Sequence, residues 1–218
     1  MKLKQFLGAA VMATAGASAS ANVVLSEGFD DVTTLAGSGW VANNLSTPIG
    51  ATGWFQGNSD VFSAAGGAAN AYIAANYLNA DSGGTISNWL LTPEVSLGPV
   101  TTLAFQARVA GDDFLDTLEV YFSGNGASTS LSDFSLLGSY ASTTGEGWVS
   151  QSFGVANGGS SGRFAFRYFV GNTLIDGNYV GIDSVIVRTA ANAVPLPGTL
   201  ALAGLALGML GVTRRKLG

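Results

Sequence analysis

Apolar residues alternate with polar or small ones through much of residues 22–191, and glycine-rich segments separate these stretches. Alternation with a period of two is typical of β-strands that bury one face. The clearest example is segment 162–170, which places an apolar set on one face and a mixed set on the other. The apolar set is Phe164, Phe166, Tyr168 and Val170, and the mixed set is Arg163, Ala165, Arg167 and Phe169.

Three further segments show strand patterns, namely 103–109, 118–122 and 179–187. Segment 68–78 is rich in alanine, but Tyr72, Ile73 and Tyr77 are good strand formers, so we predict a strand with its approach loop. Many short strands joined by glycine-rich turns predict two packed antiparallel sheets. The predicted fold is therefore all-β, an antiparallel β-sandwich or jelly roll.

The first 21 residues have the layout of a secretory signal peptide. Lys2 and Lys4 precede an apolar stretch at 6–17, and Ala19 and Ala21 supply the small residues before the cleavage point. We predict a signal helix that directs the chain to the Sec translocon for export. A signal peptidase then removes this helix by cleavage after Ala21. The alternative is an N-terminal helix buried in the fold.

The last 27 residues form a second distinct segment, which we separate from the domain at 192. Its motif is Val194, Pro195, Leu196, Pro197 and Gly198, and its basic end is Arg214, Arg215 and Lys216. The uncharged run between them is shorter than the roughly 20 residues that span a bilayer comfortably. The basic end predicts a cytoplasmic terminus with the domain outside. A permanent single-span anchor is the alternative to removal of this short apolar helix.

This order of proline motif, apolar helix and basic end resembles the PEP-CTERM sorting signal, with Leu196 where that motif has Glu. The resemblance implies an exosortase as a partner and cleavage at or near Pro195–Pro197. It also implies transient insertion into the inner membrane before transfer to the cell surface, outer membrane or extracellular matrix.

The central domain carries a second resemblance, in five separated motifs. They are Trp54-Phe55-Gln56-Gly57, Tyr72 to Tyr77, Gly84 to Pro93, Gly162 to Tyr168 and Tyr179 to Asp183. Together these motifs resemble the choice-of-anchor J domain over residues 25–188. That family is similar to cleaved-adhesin domains, which implies a jelly-roll sandwich and export with a C-terminal anchor.

The amino-acid composition excludes several classes of function for this chain. The chain of 218 residues has no Cys and no His, so it lacks disulfides, the usual general base and the commonest zinc ligands. Without its two ends it keeps four Arg against fourteen Asp and Glu, a net charge of −10. An acidic surface without a basic patch argues against nucleic acid as a partner.

Two patterns suggest catalysis but fit it poorly. Segment 158–162 matches the G-x-S-x-G nucleophile elbow, which requires a His partner, so we interpret it as a turn. Glycoside hydrolysis by two carboxylates needs neither His nor Cys. The densest acidic group is Asp112, Asp113, Asp116 and Glu119, which we interpret as a solvated edge.

A structural calcium ion is a better use for acidic residues, because hard cations prefer carboxylate and carbonyl oxygens. The adhesin-like resemblance implies a site joining the first and last strands, with Glu27 and Asp183 as ligands and Asp30 or Asp31 as helpers. Asp183 lies in an otherwise apolar strand, where an unpaired charge would be costly. Pairing of Asp183 with an Arg is the alternative.

Aromatic residues give the last candidate site. We interpret the four Trp residues mainly as packing residues, whereas Trp54 and Phe55 beside Gln56 form a candidate sugar-stacking pair. The sequence thus predicts an exported, non-catalytic surface or matrix protein that binds glycan or exopolysaccharide, or acts in adhesion or biofilm. The alternatives are a secreted glycoside hydrolase and a purely structural coat protein.

Overall fold

The structure, a computed structural model, describes residues 21–110, 114–141, 147–156 and 158–190. Within these residues two antiparallel sheets pack face to face around a common core, which confirms the predicted β-sandwich. The predicted signal helix and C-terminal apolar helix lie outside this part of the chain. Among the residues described, none of the helices has the length and apolar character to cross a membrane.

The described part of the chain contains thirteen strands and three short 3-10 helices. The strands are β1 (Ala21–Glu27), β2 (Val41–Asn44), β3 (Thr47–Ile49), β4 (Phe55–Gln56), β5 (Ile73–Asn76), β6 (Ala80–Leu91), β7 (Val95–Ser96), β8 (Val100–Val109), β9 (Thr117–Ser123), β10 (Ser135–Ala141), β11 (Val149–Ala156), β12 (Ser161–Val170) and β13 (Tyr179–Ala190). The 3-10 helices are Val32–Thr34, Tyr77–Asn79 and Leu131–Asp133.

A six-stranded sheet has the order β11-β8-β13-β5-β4, with β1 also paired to β13. A seven-stranded sheet has the order β10-β9-β12-β6-β2, with β3 on β6 and β7 on β12. Strands adjacent in space are often far apart in sequence, as in β12 between β6 and β9. This arrangement brings distant segments of the chain together on each outer face.

The alternation along β12 sets the division between core and outer face. Phe164, Phe166 and Tyr168 are fully buried between the sheets, as the sequence pattern predicts. Arg163 and Arg167 lie on the opposite face and are half-buried. Burial of large side chains of this kind stabilises a fold by about 1.5–3 kcal/mol each.

Two strands end at residues other than those predicted from the sequence. In segment 68–78 the strand β5 ends at Asn76, whose side chain accepts a hydrogen bond from the Leu78 N–H and begins a 3-10 helix. Strand β13 continues past the predicted segment to Ala190, because β1 and β8 pair with it on both sides. Its register with β8 shifts between Asp183 and Ile186, where Ser184 has a φ of 53°.

Candidate functional site

Five residues on the outer face of the seven-stranded sheet pair directly across its five main strands. They are Asn43 (β2), Trp89 (β6), Arg167 (β12), Glu119 (β9) and Ser139 (β10), and we call them the outer row. Side chains opposite each other in an antiparallel pair lie within contact distance. The register therefore joins an aromatic ring, a cation and a carboxylate that are distant in sequence.

Arg167 is the centre of the outer row. Its Nη1 donates to Glu119 Oε2 at 3.0 Å and its Nε donates to Ser87 Oγ at 2.9 Å. Its guanidinium carbon lies 5.4 Å from the ring centroid of Trp89 and 4.4 Å from that of Phe169. Hydrogen bonds and cation–π contacts together hold the guanidinium in one orientation.

The aromatic rings around Arg167 are also held in place. Trp89 Nε1 donates to Ser87 Oγ at 3.1 Å, and the Trp89 and Tyr121 ring centroids are 4.7 Å apart. The Tyr121 hydroxyl donates to Glu119 Oε2 at 2.9 Å. Burial, and then this hydrogen bond to Glu119, raise the pKa of Tyr121, so its hydroxyl stays protonated.

Apolar side chains flank the outer row on one side. Leu91 and Ala165 lie next to Trp89 and Arg167 on the same face, and Phe134 packs against them. Val41 and Leu131 complete this cluster. The four buried members of this cluster are at most 8% exposed, so its accessible apolar surface comes from the half-buried Val41, Tyr121 and Leu131. These side chains lie beside oriented polar groups, which is the combination that sugar-binding sites use.

Solvent reaches the polar groups of this face only in part. The side chains of Arg167 and Glu119 are 22% and 17% exposed, and their charges cancel in an ion pair. This is the one ion pair within the part of the chain that the structure describes. Asn43 and Ser139, at the ends of the row, are exposed. The row thus offers donors and acceptors without net charge, which suits a neutral ligand.

The aromatic pair predicted from sequence lies elsewhere. Trp54 is half-buried and packs against the main core, and Phe55 lies edge-on to Tyr179 with centroids 5.8 Å apart. Gln56 acts within the protein: its Oε1 accepts from the Val32 N–H, and its Nε2 donates to the Phe29 carbonyl at 2.8 Å. Sugar stacking on Trp54 and Phe55 stays a prediction.

The interpretation of the acidic group as a solvated edge is wrong for two of its members. Asp116 is completely buried and accepts from the Tyr168 hydroxyl and the Asn178 N–H, while Glu119 belongs to the outer row. Burial depends on partners more than 50 residues away along the chain, which local sequence does not reveal. Asp112 and Asp113 lie outside the described residues.

The G-x-S-x-G segment leads into a strand. Ser160 is followed directly by β12, and the Ser160 carbonyl accepts from the Leu97 N–H at 2.9 Å. A nucleophile elbow leads from a strand into a helix. The geometry therefore agrees with the interpretation as a turn.

The predicted calcium ligands have internal partners. Asp183 is buried and its Oδ2 accepts from the N–H groups of Ala65 and Gly66, at 2.8 and 3.1 Å. Glu27 Oε1 accepts from the Phe29 N–H at 2.8 Å, and Asp30 is exposed. Two N–H donors, in place of the alternative Arg partner, stabilise the Asp183 carboxylate. Within the described ranges no three acidic side chains cluster as a metal site. Calcium binding by Glu27 and Asp183 stays a prediction.

The predicted sorting and cleavage residues lie almost entirely outside the described part of the chain. These are Ala19, Val194, Pro195, Leu196, Pro197, Gly198, Arg214, Arg215 and Lys216. Ala21 is the first residue of β1 and pairs with Ala190. Cleavage after Ala21 would leave the Asn22–Thr189 pair as the first pair of that ladder.

The sequence gives only a weak signal for the outer row. Arg167 falls on the mixed face of a predicted strand, and Trp89 falls in the Gly84–Pro93 motif. Their contact depends on the register between β6 and β12, which a single sequence does not specify.

The comparisons with known proteins place this fold among solved structures. No protein-family model matches the chain, and no curated protein matches it by sequence. A cleaved adhesin domain of Lys-gingipain from Porphyromonas gingivalis W83 is similar with a TM-score of 0.59 and 20% identity, covering 78% of this chain and 100% of that one. A second such domain has a TM-score of 0.58 and 21% identity, with the same coverage. At this level of identity the likeness concerns the fold, and the chain has a β-sandwich like that of cleaved adhesin domains.

Proposed function

We propose that this protein is an exported, non-catalytic surface or matrix protein whose outer row binds a neutral glycan. The observation that carries the proposal is the Arg167–Glu119 pair on the outer face of the seven-stranded sheet, where the two side chains are 22% and 17% exposed. The rings of Trp89, Tyr121 and Phe169 surround this pair. Sugar rings have apolar C–H faces and polar edges, so they need both kinds of contact at once. The row supplies both from rigid strands.

Charge favours a neutral ligand over an acidic one. The domain has a net charge of −10 without its ends, and Glu119 cancels the charge of Arg167. An acidic polymer would therefore meet long-range repulsion and no free cation in the row. Hydroxyl groups of a neutral sugar can donate to Glu119 and accept from the exposed edge of Arg167.

Export and surface location support a role in adhesion or biofilm. The signal peptide and the PEP-CTERM-like tail favour passage through the Sec translocon, with signal peptidase and exosortase as processing partners. The likeness to cleaved adhesin domains agrees with a location outside the cell. We place the mature protein at the cell surface or in the extracellular matrix.

A glycan array probed with the full chain tests the binding proposal. We expect neutral oligosaccharides to be retained, and Arg167→Gln to weaken binding at least about tenfold, since a hydrogen bond to a charged group contributes about 1.5–3 kcal/mol. Arg188→Gln is the matched control, because Arg188 is exposed on the outer side of the other sheet. Equal binding by both variants, with unchanged circular dichroism, would rule out the outer row.

A glycosidase panel separates binding from hydrolysis. The proposal predicts that every retained oligosaccharide is recovered intact after prolonged incubation. Turnover that Glu119→Gln abolishes would favour the hydrolase alternative. Failure of the array to retain any glycan would favour a structural coat protein.

A further inference from the structure

One edge of the β-sandwich ends in two long strands without charged residues. These are β11 (Val149–Ala156) in the six-stranded sheet and β10 (Ser135–Ala141) in the seven-stranded sheet. A Cβ at Gly138 in β10 would lie 2.7 Å from the ring of Phe153 in β11, so β10 packs closely against β11. The two strands therefore form the same side of the domain, which we call the β10–β11 edge.

Strand β11 has none of the features that protect an edge strand. Edge strands are usually short, charged, interrupted by a bulge or Pro, or covered, because their free N–H and C=O groups can pair with another chain. Strand β11 has eight residues without a charge or Pro, and its register with β8 is regular from Val149 to Ala156. Among the described residues, β8 is the one strand that pairs with it. Its side away from β8 is therefore open to a further strand.

The opposite edge of the sandwich is protected. Strands β4 and β2 have only two and four residues. Strand β1 is longer, but it carries Glu27, and its register with β13 shifts between Val23 and Leu25. A charge and a bulge both oppose pairing with another chain. The opposite edge therefore offers no matching strand to the β10–β11 edge of another molecule, whereas an identical edge does.

The side chains of β11 suit pairing with an identical strand. Its inner side carries Val149, Phe153 and Val155, which are half-buried and pack against the main core. Its outer side carries small, exposed residues, namely Ser150, Ser152, Gly154 and Ala156. A two-fold axis at Ser152, perpendicular to the sheet, would pair Val149 with Val155 of a second copy on the inner side. No charged side chain of either β11 strand would enter this ladder.

We propose that two copies of this chain associate through their β10–β11 edges as a symmetric dimer. Strand β11 pairs antiparallel with β11 of the second copy, so the two six-stranded sheets continue into each other. A second copy suits this edge better than a single foreign strand, because it presents β10 and β11 together with the same spacing between layers. Since like edges meet, the contact closes as a dimer and does not propagate into a filament.

The size of the edge predicts a weak, reversible dimer. A strand of eight residues is about 26 Å long, and two sheets about 10 Å apart with their side chains give an edge of roughly 500 Å² per copy. A total of about 1,000 Å² is at the lower end of specific interfaces, so we expect a Kd of about 1–100 µM. The net charge of −10 opposes association at long range, so added salt should strengthen the dimer.

The dimer also extends the candidate glycan site. The outer row ends at Ser139 in β10, which is part of the β10–β11 edge. A two-fold axis perpendicular to the sheets places both outer rows on the same face of the dimer. Two linked sites hold a polymer more tightly than one site does. This consequence rests on the proposed glycan binding, whereas the dimer itself does not.

Sedimentation velocity of the full chain without glycan, at about 1–300 µM, tests the dimer. We expect the average mass to rise reversibly from that of a monomer to that of a dimer. Ser152→Lys places like charges beside each other across the two-fold axis and should weaken dimerisation at least about tenfold. Ser26→Lys is the matched control at an exposed serine of β1, on the opposite edge, and should leave the dimer unchanged.

A mixing experiment shows whether Ser152 meets its own equivalent. Ser152→Glu should weaken dimerisation as Ser152→Lys does, since like charges again face each other. An equimolar mixture of the two variants should form dimers, because opposite charges then meet across the axis. Failure of the mixture to form dimers, with both variants folded, would overturn the proposed pairing of β11 with itself.

Hydrogen exchange of the unmodified chain needs no variant. A rise in protein concentration from about 1 to about 300 µM should slow amide exchange in β11 and leave β1 unchanged. A chain that stays monomeric at the higher concentration would overturn the proposal and leave the edge to a strand of another protein. Dimerisation that survives Ser152→Lys would also overturn it. Both experiments omit glycan, so a missing dimer is distinguishable from failure of the outer row to bind glycans.

Discussion

The carboxyl group of Asp116 is buried in the interior, where it accepts hydrogen bonds from the Tyr168 hydroxyl and the Asn178 N–H. Burial is the main cause that raises its pKa above the ordinary value of 3.8, and its hydrogen bonds act in the opposite direction. Between 3.8 and the raised pKa, the folded protein binds more protons at this site than the unfolded chain. The contribution of Asp116 to the free energy of unfolding therefore decreases as pH rises through that window.

Asp116→Asn should remove this pH dependence, because the amide does not titrate. Urea unfolding of the full chain across acidic to neutral pH measures the effect. Asp133→Asn is the control, since the hydrogen bonds from Ser128 and Asn125 lower the pKa of Asp133, which produces the opposite slope. An unchanged slope in the folded Asp116→Asn protein would contradict the assignment.

Gln56 joins three backbone segments through one side chain. We expect Gln56→Leu to destabilise the protein by about 1–3 kcal/mol, because it leaves the Val32 N–H and the Phe29 and Asn70 carbonyls without this partner. Gln106→Leu provides a comparison, since among the described residues the half-buried Gln106 side chain has one hydrogen bond, to Ser150 Oγ. Thermal unfolding of both variants measures the loss of stability that each substitution causes. Equal losses of stability would show that Gln56 is an ordinary surface residue.

At the scale of strands, the close approach of β9 to β12 leaves no room for a side chain at Gly162. A Cβ at Gly162 in β12 would lie 2.2 Å from the Ser123 carbonyl oxygen of β9, whereas one at Gly154 in β11 would meet nothing within 4 Å. Gly162→Ala should therefore cost about 1–3 kcal/mol through overpacking. Gly154→Ala should be neutral or slightly stabilising, and denaturant midpoints that reverse this order would contradict the packing described here.

Local patterns predict single strands well and their partners poorly. The alternation in 162–170 correctly assigns the buried faces of β12, because side-chain direction depends only on the strand itself. The outer row was not predictable, because Trp89, Arg167 and Glu119 meet only through the order β6-β12-β9. The burial of Asp116 depends likewise on Tyr168, in a strand much later in the chain.

For the whole molecule, the proposed signal peptide and sorting tail lead to a prediction about processing of the two ends. Mass spectrometry of the mature protein from its native host should find Asn22 as the first residue and the basic end removed near Pro195–Pro197. The physical reason is that a signal peptide presents its small residues for cleavage and the apolar run is short for a stable anchor. Recovery of an intact 198–218 segment would instead favour the permanent anchor.

The most direct test of the central proposal is chemical-shift mapping of the ¹⁵N-labelled full chain with a neutral oligosaccharide retained on the array. Glycan binding by the outer row predicts shifts at the Trp89 indole N–H, the Arg167 Nε–H and the backbone of β6, β9 and β12. Shifts confined to the six-stranded sheet, with these signals unmoved at saturation, would contradict it.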